Sequence, residues 1–268
     1  MSTPKTTKGK STAGATATGT KAIDRAMHVL SSFVEEPEQG ITDIAARTGL
    51  SPSTVHRIVR AFVDTRYLEQ DDDTDRYHLG HAALILGQSA RESLGFDRAL
   101  PVLEELGAIT GESVNMGVRD GTDVVVILRV QSVQPLRFDQ APGTRISLHC
   151  SSMGKSILAF SDEPIPELSF EKITPSTITS KRKFVTELDE VREQGFSTDD
   201  EESIAGVSCV GAPIVNSEGQ AVAAIAVQAP TVRMTTTRQA ALAAQAVEAA
   251  AEIRRILRLD TLTSLPTL

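Results

Sequence analysis

Aromatic residues and long apolar runs are scarce in this chain of 268 residues. Tryptophan is absent and aromatics make up 4% of the sequence, so we expect a core of leucine, isoleucine, valine and alanine. The longest uninterrupted apolar run, residues 221–227, is far too short to cross a bilayer. The N-terminus also lacks the apolar stretch of a signal peptide. These absences argue against a membrane partner and predict a cytoplasmic protein.

Cysteine and histidine, which often hold metals or carry redox chemistry, are also few. The two cysteines, Cys150 and Cys209, have no CxxC partner, and the five histidines show no metal-site spacing. We therefore expect no metal and no cofactor, and we interpret both cysteines as small buried thiols. A disulfide between them stays open at this point.

Charge is distributed unevenly along a chain whose net charge is −8. Residues 1–66 carry a net charge of +3, whereas residues 92–268 carry −8. The overall acidity argues against non-specific binding to nucleic acid, but it leaves room for a local basic face in the first part. Residues 1–21 contain no acidic side chain and almost no large apolar one, so we predict a disordered basic arm there.

Residues 22–79 have the pattern of a winged helix-turn-helix. Helices are predicted over residues 22–34 and 41–48, and a third begins after Ser51 with Pro52 at its first position. Two short strands, residues 67–70 and 76–79, follow around a polar turn. Two sets of residues carry this prediction: the stripe Ile23, Met27, Leu30 and Val34 on the first helix, and the helix-turn-helix spacing of Ala45, Gly49, Val55 and Ile58.

The third helix combines an apolar face with a basic one. We expect Val55, Ile58 and Phe62 to point into the core, which leaves two arginines, a histidine and hydroxyl groups on the outward face. Hydroxyls and guanidinium groups suit the phosphates and base edges of a DNA major groove. The plainer alternative is a solvated helix face that happens to carry arginines. The predicted contacts to double-stranded DNA are Ser51, Ser53, Thr54, His56, Arg57 and Arg60 on the helix and Arg76 in the wing.

The rest of the chain mixes strands and helices. Residues 80–94 predict a connecting helix, residues 113–119 and 123–130 one hairpin, and residues 207–215 and 220–228 another. A helix is expected over about residues 149–160, whereas residues 162–185 show little periodicity. A final helix carries the stripe Leu242, Ala246, Ala250, Ile253 and Leu257. This order favours an α+β sheet domain with helices on one face.

The segment MGKS at residues 153–156 is similar to the end of a phosphate-binding loop. That motif needs a glycine five residues before Gly154, where this chain has His149, so nucleotide hydrolysis is not expected. Ser151, Ser152 and Lys155 near a helix start favour either an anion site or ordinary helix capping.

Three stretches together resemble the IclR-type bacterial transcriptional regulators. They are AIDRAMHVLSSF with ITDIAARTGLSPSTVHRIVRAFVDTRYLEQDDDTDRYHLG, then APGTRISLHCSSMGKSILAF, then GFSTDDEESIAGVSCVGAPIVNSEGQAVAAIAVQAPTVRMT. They follow one another in order over residues 22–234. The resemblance implies an N-terminal winged helix, a linker helix and a GAF-like effector-binding domain that assembles as dimers or tetramers. It also implies a ligand-controlled regulator, which we expect to be a repressor and not an enzyme.

The resemblance further implies an effector pocket in the GAF-like domain. The small oxo-acid binders of the family have serines at the last two of its positions, where this chain has alanine and glutamine, so a reshaped pocket for a carboxylated or aromatic metabolite is expected. The family often has glycine where this chain has Asp75, which puts the geometry of the wing in question. The pocket positions carried over are Ser152, Met153, Asp199, Cys209, Ala226 and Gln228.

These arguments divide the chain into five segments, and two alternative functions stay open. One alternative is a GAF-like redox or enzymatic domain that uses Cys209 and Cys150, with the winged helix as an interaction module; the other is a purely structural dimerisation protein. For the assembly, residues 22–34 and 80–94 are expected to supply most of the dimer contact between DNA-binding domains. The segments are the basic arm 1–21, the winged helix 22–80, the linker helix 81–97, the GAF-like domain 98–260 and a tail 261–268.

Overall fold

A computed structural model describes residues 16–257 of the chain. Compact contacts divide it into two units, with the division after Ala90. The tail predicted at residues 261–268, and residues 1–15 of the predicted arm, lie outside the described residues. Within residues 16–257, no helix is both long enough and apolar enough to cross a membrane.

The first unit is a winged helix. A left-handed glycine, Gly49 with φ of 69°, ends the second helix, and Ser51 caps the third by accepting a hydrogen bond from the Thr54 amide. The two wing strands pair in antiparallel fashion, from Leu68 opposite Leu79 to Gln70 opposite Tyr77. The elements are α1 (Thr16–Glu35), α2 (Ile41–Thr48), α3 (Pro52–Asp64), β1 (Leu68–Gln70) and β2 (Tyr77–Leu79). Helix α4 (His81–Leu94) follows, and the division between the two units falls within it.

Helix α1 differs from its prediction at both its start and its buried face. It begins at Thr16, inside the segment predicted as disordered. Once a helix is formed and packed, each residue added at its end gains a backbone hydrogen bond without the cost of starting a new helix. Val29 and Phe33, four residues apart, are the apolar residues it buries against α2 and α3. The predicted stripe is instead exposed at Ile23, Met27 and Val34, so α1 carries a second apolar face.

Helix α3 buries a slightly different set of residues from the predicted one. Val55 and Val59 are buried, whereas Ile58 and Phe62 are only partly covered. Val55 and Val59 are separated by four residues and therefore share one line along the helix. The prediction placed Ile58 and Phe62 in the core and did not include Val59, because it followed a spacing of three residues from Val55 to Ile58.

The second unit is built on one antiparallel sheet of six strands in the order β5-β4-β3-β8-β7-β6. The prediction of helices on one face was wrong, because α5 and α8 cover one face and α6 and α7 cover the other. The α+β class itself is confirmed. The elements are α5 (Leu100–Thr110), β3 (Ser113–Asp120), β4 (Asp123–Val130), β5 (Arg145–Ser147), α6 (Ser152–Ala159), α7 (Lys181–Gln194), β6 (Ser197–Asp200), β7 (Val207–Val215), β8 (Ala221–Pro230) and α8 (Thr236–Leu257).

The central strand β8 explains why both faces of the sheet are covered. Its residues from Ala223 to Ala229 are all buried, so alternate side chains enter two separate cores. Ile225 and Val227 join the core under α8, and Ala224 and Ala226 join the core under α6 and α7. The stripe predicted on the last helix is confirmed by burial of all five of its residues against the first of these cores.

Two helices on the α6 face depart from the sequence-based expectation. Helix α6 begins at Ser152, not at residue 149, because Ser151 takes the cap position and accepts a hydrogen bond from the Gly154 amide at 3.0 Å. Helix α7 was not predicted. It is charged at most positions and buries only Phe184, Leu188 and Val191. That spacing of four and three residues is an amphipathic signal, but the many charged residues around it hide it in the sequence.

Candidate functional site

Helix α3 presents a polar face made of the predicted DNA contacts. His56, Arg57 and Arg60 are exposed, while Val55 and Val59 hold the opposite side of the helix in the core. The alternation follows from the helical period, because residues two positions after a buried one turn away from it. Two guanidinium groups on one outward side are suited to bind phosphate or a guanine edge.

At the start of α3, a cluster of hydroxyls has a structural task as well. The Ser51 Oγ lies 2.8 Å from the Thr54 Oγ1 and 3.1 Å from the Ser53 Oγ, and it also receives the Thr54 amide. Ser51 therefore fixes where the helix begins, and Ser53 and Thr54 are held beside it. A free N-terminal turn with hydroxyl groups is the part of a recognition helix that commonly approaches bases or phosphates.

Arg76, predicted as a wing contact to DNA, is placed against α2. Its Nη2 donates to the Glu38 carbonyl at 2.7 Å and lies 3.0 Å from the Asp43 carboxylate. The guanidinium thus ties the wing to the helix-turn-helix.

The turn of the wing is a tight acidic loop. The Asp71 Oδ1 accepts hydrogen bonds from the amides of Asp73 and Thr74 and from the Thr74 hydroxyl. These bonds hold the pKa of Asp71 below its usual value. Asp75, the position noted for its missing glycine, has φ of 56°. A left-handed backbone at that point explains why glycine suits it.

In the second unit, the six predicted effector residues lie on the same face of the sheet. Across β6, β7 and β8, Asp199 pairs with Cys209 and Cys209 pairs with Gln228. Ala226 lies two positions from Gln228 and shares its face. Ser152 and Met153 form the first turn of α6 against this face. All six side chains are buried.

Close packing of α6 on the sheet depends on a glycine. A Cβ atom added at Gly211 would lie 2.8 Å from the Ser152 carbonyl carbon and oxygen. The Ser197 hydroxyl donates to the same carbonyl at 2.5 Å and lies 2.8 Å from the Ser156 hydroxyl. The start of α6 is therefore fixed on β6 and β7 by backbone contact, with little room to move.

Beside this turn, α6 carries a buried ionic cluster. The Lys155 ammonium is fully buried, donates to Glu202 at 2.6 Å and also contacts Glu187. Burial lowers the pKa of Lys155, but the two carboxylates outweigh it and raise the pKa overall. Burial also raises the pKa of Asp199, and it raises the pKa of Glu202 to about 7. Asp199 accepts the amides of Glu202 and Ser203 and the Ser203 hydroxyl.

The two cysteines are buried free thiols in this unit. Burial, with the Asp199 carboxylate as the next cause, raises the pKa of Cys150 to about 12. The same two causes raise the pKa of Cys209 well above its usual value. Both sulfurs therefore stay protonated at neutral pH, whereas a nucleophilic or redox cysteine needs the thiolate.

A cavity of about 360 Å³ opens beside the predicted residues. None of the six lines it, but two of its wall residues contact them: Ser203 bonds Asp199, and Gln140 bonds Gln228 at 2.7 Å. Gln140 also accepts a hydrogen bond from Asn115 on β3 at 3.0 Å. The cavity wall includes Phe138, Gln140, Arg145, Cys150 and Ser203. Sequence reasoning missed Asn115, Gln140 and Ser203, and only the strand alternation at Asn115 offered a signal.

Comparison with known proteins matches both units to one family. The model described as the IclR helix-turn-helix domain matches residues 22–72, and that of the bacterial transcriptional regulator IclR C-terminal matches residues 96–255. The chain is 33% identical over 241 residues to the HTH-type transcriptional regulator BhcR of Paracoccus denitrificans, which covers 88% of this chain and 86% of that protein.

Two further similarities agree with this match. The HTH-type transcriptional regulator KdgR of Dickeya chrysanthemi is 31% identical, over 76% of this chain and 69% of that protein. An IclR transcriptional regulator from Alicyclobacillus acidocaldarius has the same fold, with a TM-score of 0.81 at 23% identity over 88% of this chain and 98% of that chain. With its winged helix-turn-helix and its α/β domain, the chain belongs to the IclR family of DNA-binding bacterial transcriptional regulators.

Proposed function

We propose that this regulator reads its operator through Ser53, Thr54, Arg57 and Arg60. The observation that carries the proposal is the exposure of both arginines on the outward face of α3, directly after the capped turn of the helix-turn-helix. His56 flanks this face, and Ser51 serves as its cap. Because Arg76 is bonded to α2, we assign it the positioning of the wing, not a contact to a base.

Arg57→Ala tests the proposed reading face. If Arg57 pairs with a base, the variant should lose about 1–3 kcal/mol of binding free energy on the specific site. The measurement is a fluorescence-anisotropy titration of labelled upstream DNA at fixed salt, with a scrambled duplex beside it. Arg182→Ala removes an equal charge from an exposed position of α7 and serves as the control. If Arg57→Ala and the parent bind both duplexes with equal affinity, the assignment of Arg57 as a base contact is wrong.

We propose that a small metabolite controls this activity from the second unit. The cavity of about 360 Å³ falls within the size range of small-molecule sites and adjoins the six predicted residues. The cavity wall supplies apolar side chains from Phe138, Ile146 and Ile204, while Met153, Cys209 and Ala226 are buried on the α6 face of the sheet without lining the cavity. A carboxylated or aromatic compound fits this environment. Binding must differ between the DNA-competent and DNA-incompetent states by about 1–3 kcal/mol for the compound to act as a switch.

A thermal-shift screen against small acids and aromatics, repeated on Cys209→Ala and Gln228→Ala, tests the location of the site. A compound that stabilises the parent and loses its effect in either variant places the site here. A compound that stabilises both variants as strongly as the parent places it elsewhere.

We also propose that the chain acts as a homo-oligomer and as a repressor, without enzymatic activity. Exposed apolar residues on α1 and α4 support self-association, since a two-fold pair of recognition helices needs two copies. The protonated state of both thiols supports a role without redox or nucleophilic chemistry. In this proposal residues 81–97 connect a DNA-binding domain, 22–80, to an effector domain, 98–260. Reporter expression that falls on deletion of the gene would contradict repression.

A further inference from the structure

Three amide side chains meet between the sheet and the cavity of the second unit. The Gln140 Oε1 accepts one hydrogen bond from the Asn115 Nδ2 at 3.0 Å and another from the Gln228 Nε2 at 2.7 Å. Asn115 and Gln228 project from neighbouring strands on the face covered by α6, since Asn115 pairs with Ala226 and Ser113 pairs with Gln228. All three amides are more than nine-tenths buried.

This arrangement leaves two acceptors unused. The Asn115 Oδ1 and the Gln228 Oε1 are buried and have no hydrogen-bond partner among the described residues of the chain. A buried carbonyl oxygen without a donor is costly, and native proteins rarely keep one without a reason. Both side chains converge within 3.0 Å of one oxygen of Gln140, and Gln140 itself lines the cavity. The two unused acceptors therefore belong to a cluster that borders the cavity.

The charged groups of the cavity wall are already paired. Arg145 bonds Asp120 at 2.6 Å and Asp123 at 3.2 Å, and the Asp139 carboxylate receives Arg129 at 2.8 Å. Neither side chain presents an unopposed charge to a ligand. Selection at this end of the cavity thus depends on neutral hydrogen bonds, and the two buried atoms of the amide cluster that have no partner are oxygens, which can only accept.

Building on the effector site proposed above, we propose that the effector is a polyhydroxylated small molecule, a polyol or a hydroxylated acid, whose hydroxyls donate to Asn115 and Gln228. A hydroxyl is both donor and acceptor, so it satisfies the amide oxygen and can be oriented by a neighbour. A keto or carboxylate oxygen would face the amide oxygens as a second acceptor and leave all of them unpaired. An unpaired buried polar group is the strongest source of discrimination between close analogues.

Matched pairs of compounds test the hydroxyl requirement on the full chain. Isothermal titration calorimetry would compare glycerate with propionate, tartrate with succinate, gluconate with hexanoate, and sorbitol with hexanol, together with pyruvate as an oxo-acid without donors. We expect saturable binding of at least one hydroxylated member and at least tenfold weaker binding of its partner without hydroxyls. Tight binding of pyruvate or of the unhydroxylated acids would overturn the proposal, and it would indicate that the three amides turn together to present N–H groups.

Variants separate recognition from a merely structural role. Gln228→Met and Asn115→Leu remove the acceptors and should weaken the hydroxylated ligand at least tenfold, while the melting temperature of the free chain stays equal or rises. If Gln228→Met fails to fold, Asn115→Leu carries the test alone, because it leaves the hydrogen bond from Gln228 to Gln140 in place. Gln220→Met, which removes an exposed amide bonded to Asp162, is the control. Undiminished binding in both acceptor-removing variants would overturn the assignment.

Two failures can be told apart in the same experiments. If operator DNA is bound and no hydroxylated compound of the panel binds, the assigned class is wrong while the regulator stands. If a hydroxylated compound binds at this site and has no effect on DNA binding, the proposed control of transcription fails instead.

Discussion

At the scale of single residues, a buried carboxyl group makes the stability of the second unit depend on pH. Burial raises the pKa of Glu202 from 4.5 to about 7, so the folded chain holds this proton more tightly than the unfolded chain does. The contribution is fully present below about pH 4.5 and is lost as the pH rises through about 7. Glu202→Gln, which mimics the protonated form, should therefore reduce the loss of stability between about pH 5 and pH 8.

Melting temperatures of parent and Glu202→Gln at about pH 5 and pH 8 measure this effect. Glu193→Gln, at an exposed position of α7, controls for the change in net charge. Asp199, whose pKa is also raised by burial, keeps part of the pH dependence in both proteins. An equal drop in melting temperature for Glu202→Gln and parent would remove Glu202 as the cause.

A second residue, Asp75, stores backbone strain in the wing. Its φ of 56° lies in the left-handed region, which costs less for glycine than for any residue with a Cβ atom. Asp75→Gly should raise the free energy of unfolding of the winged helix by about 0.5–1 kcal/mol. Chemical denaturation followed by circular dichroism measures the change, and Asp72→Gly removes the same charge from the same loop without this benefit. A destabilised Asp75→Gly would contradict the account.

The predictions from residue type and spacing were correct where the role of a residue depends on its own type and its neighbours in the sequence. Ser51, Pro52 and Gly49 each occupy the predicted cap or turn, and the outward side of α3 carries Arg57 and Arg60. The contacts of Arg76 were not predictable, because its partners Glu38 and Asp43 lie far away in the sequence. Gln140 was missed for the same reason, since its two amide partners come from different strands.

At the scale of elements, the seat of α6 on the sheet depends on the absence of a side chain. Gly211→Ala would place a methyl group 2.8 Å from the Ser152 backbone, so α6 must move. We expect a loss of about 1–3 kcal/mol in the free energy of unfolding, together with a loss of the response to any effector. Thermal and urea denaturation measure the first effect, and a ligand titration measures the second.

Gly87→Ala is the control for this prediction. A Cβ atom at Gly87 meets nothing within 4 Å, and alanine favours the helix, so this variant should be neutral or more stable. If Gly211→Ala keeps the stability and the ligand response of the parent, the close approach of α6 is not a constraint.

Elements with a clear apolar period were found from the sequence, and elements without one were not. The two long hairpins were predicted nearly to the residue because their strands are bounded by turn residues at Gly121 and Asn216. Helix α7 was not predicted, because only three of its fourteen residues are buried and the segment is therefore polar over most of its length. The core on the second face of the sheet was also not predicted. The helices that cover this face are α7, which was not predicted, and α6, which is shorter than predicted.

At the scale of the whole molecule, α4 has more apolar surface than the chain itself covers. It contains no buried residue, and Leu84, Ile85 and Leu86 are each more than half exposed. Exposed apolar surface of this kind marks an interaction site. Leu84→Glu should therefore shift the assembly toward monomers and weaken operator binding at least tenfold, because two half-sites are no longer bound together.

Light scattering at micromolar concentration and the DNA titration measure these two effects. Val232→Glu changes an even more exposed apolar residue in the second unit and should leave operator binding unchanged. A parent that is monomeric at this concentration, or a Leu84→Glu variant of unchanged mass, would contradict the role of α4.

Because side chains of β8 alternate between two cores, substitutions on this strand fall into two groups with different consequences. Exchanges at Ile225 or Val227 disturb the core under α8, whereas exchanges at Ala224, Ala226 or Gln228 act only on the α6 face. Substitutions at the predicted effector positions on this strand, Ala226 and Gln228, therefore leave the core under α8 intact. Duplicated copies of such a gene can acquire new chemical specificities by drifting at alternate positions of one strand, with their ability to fold preserved.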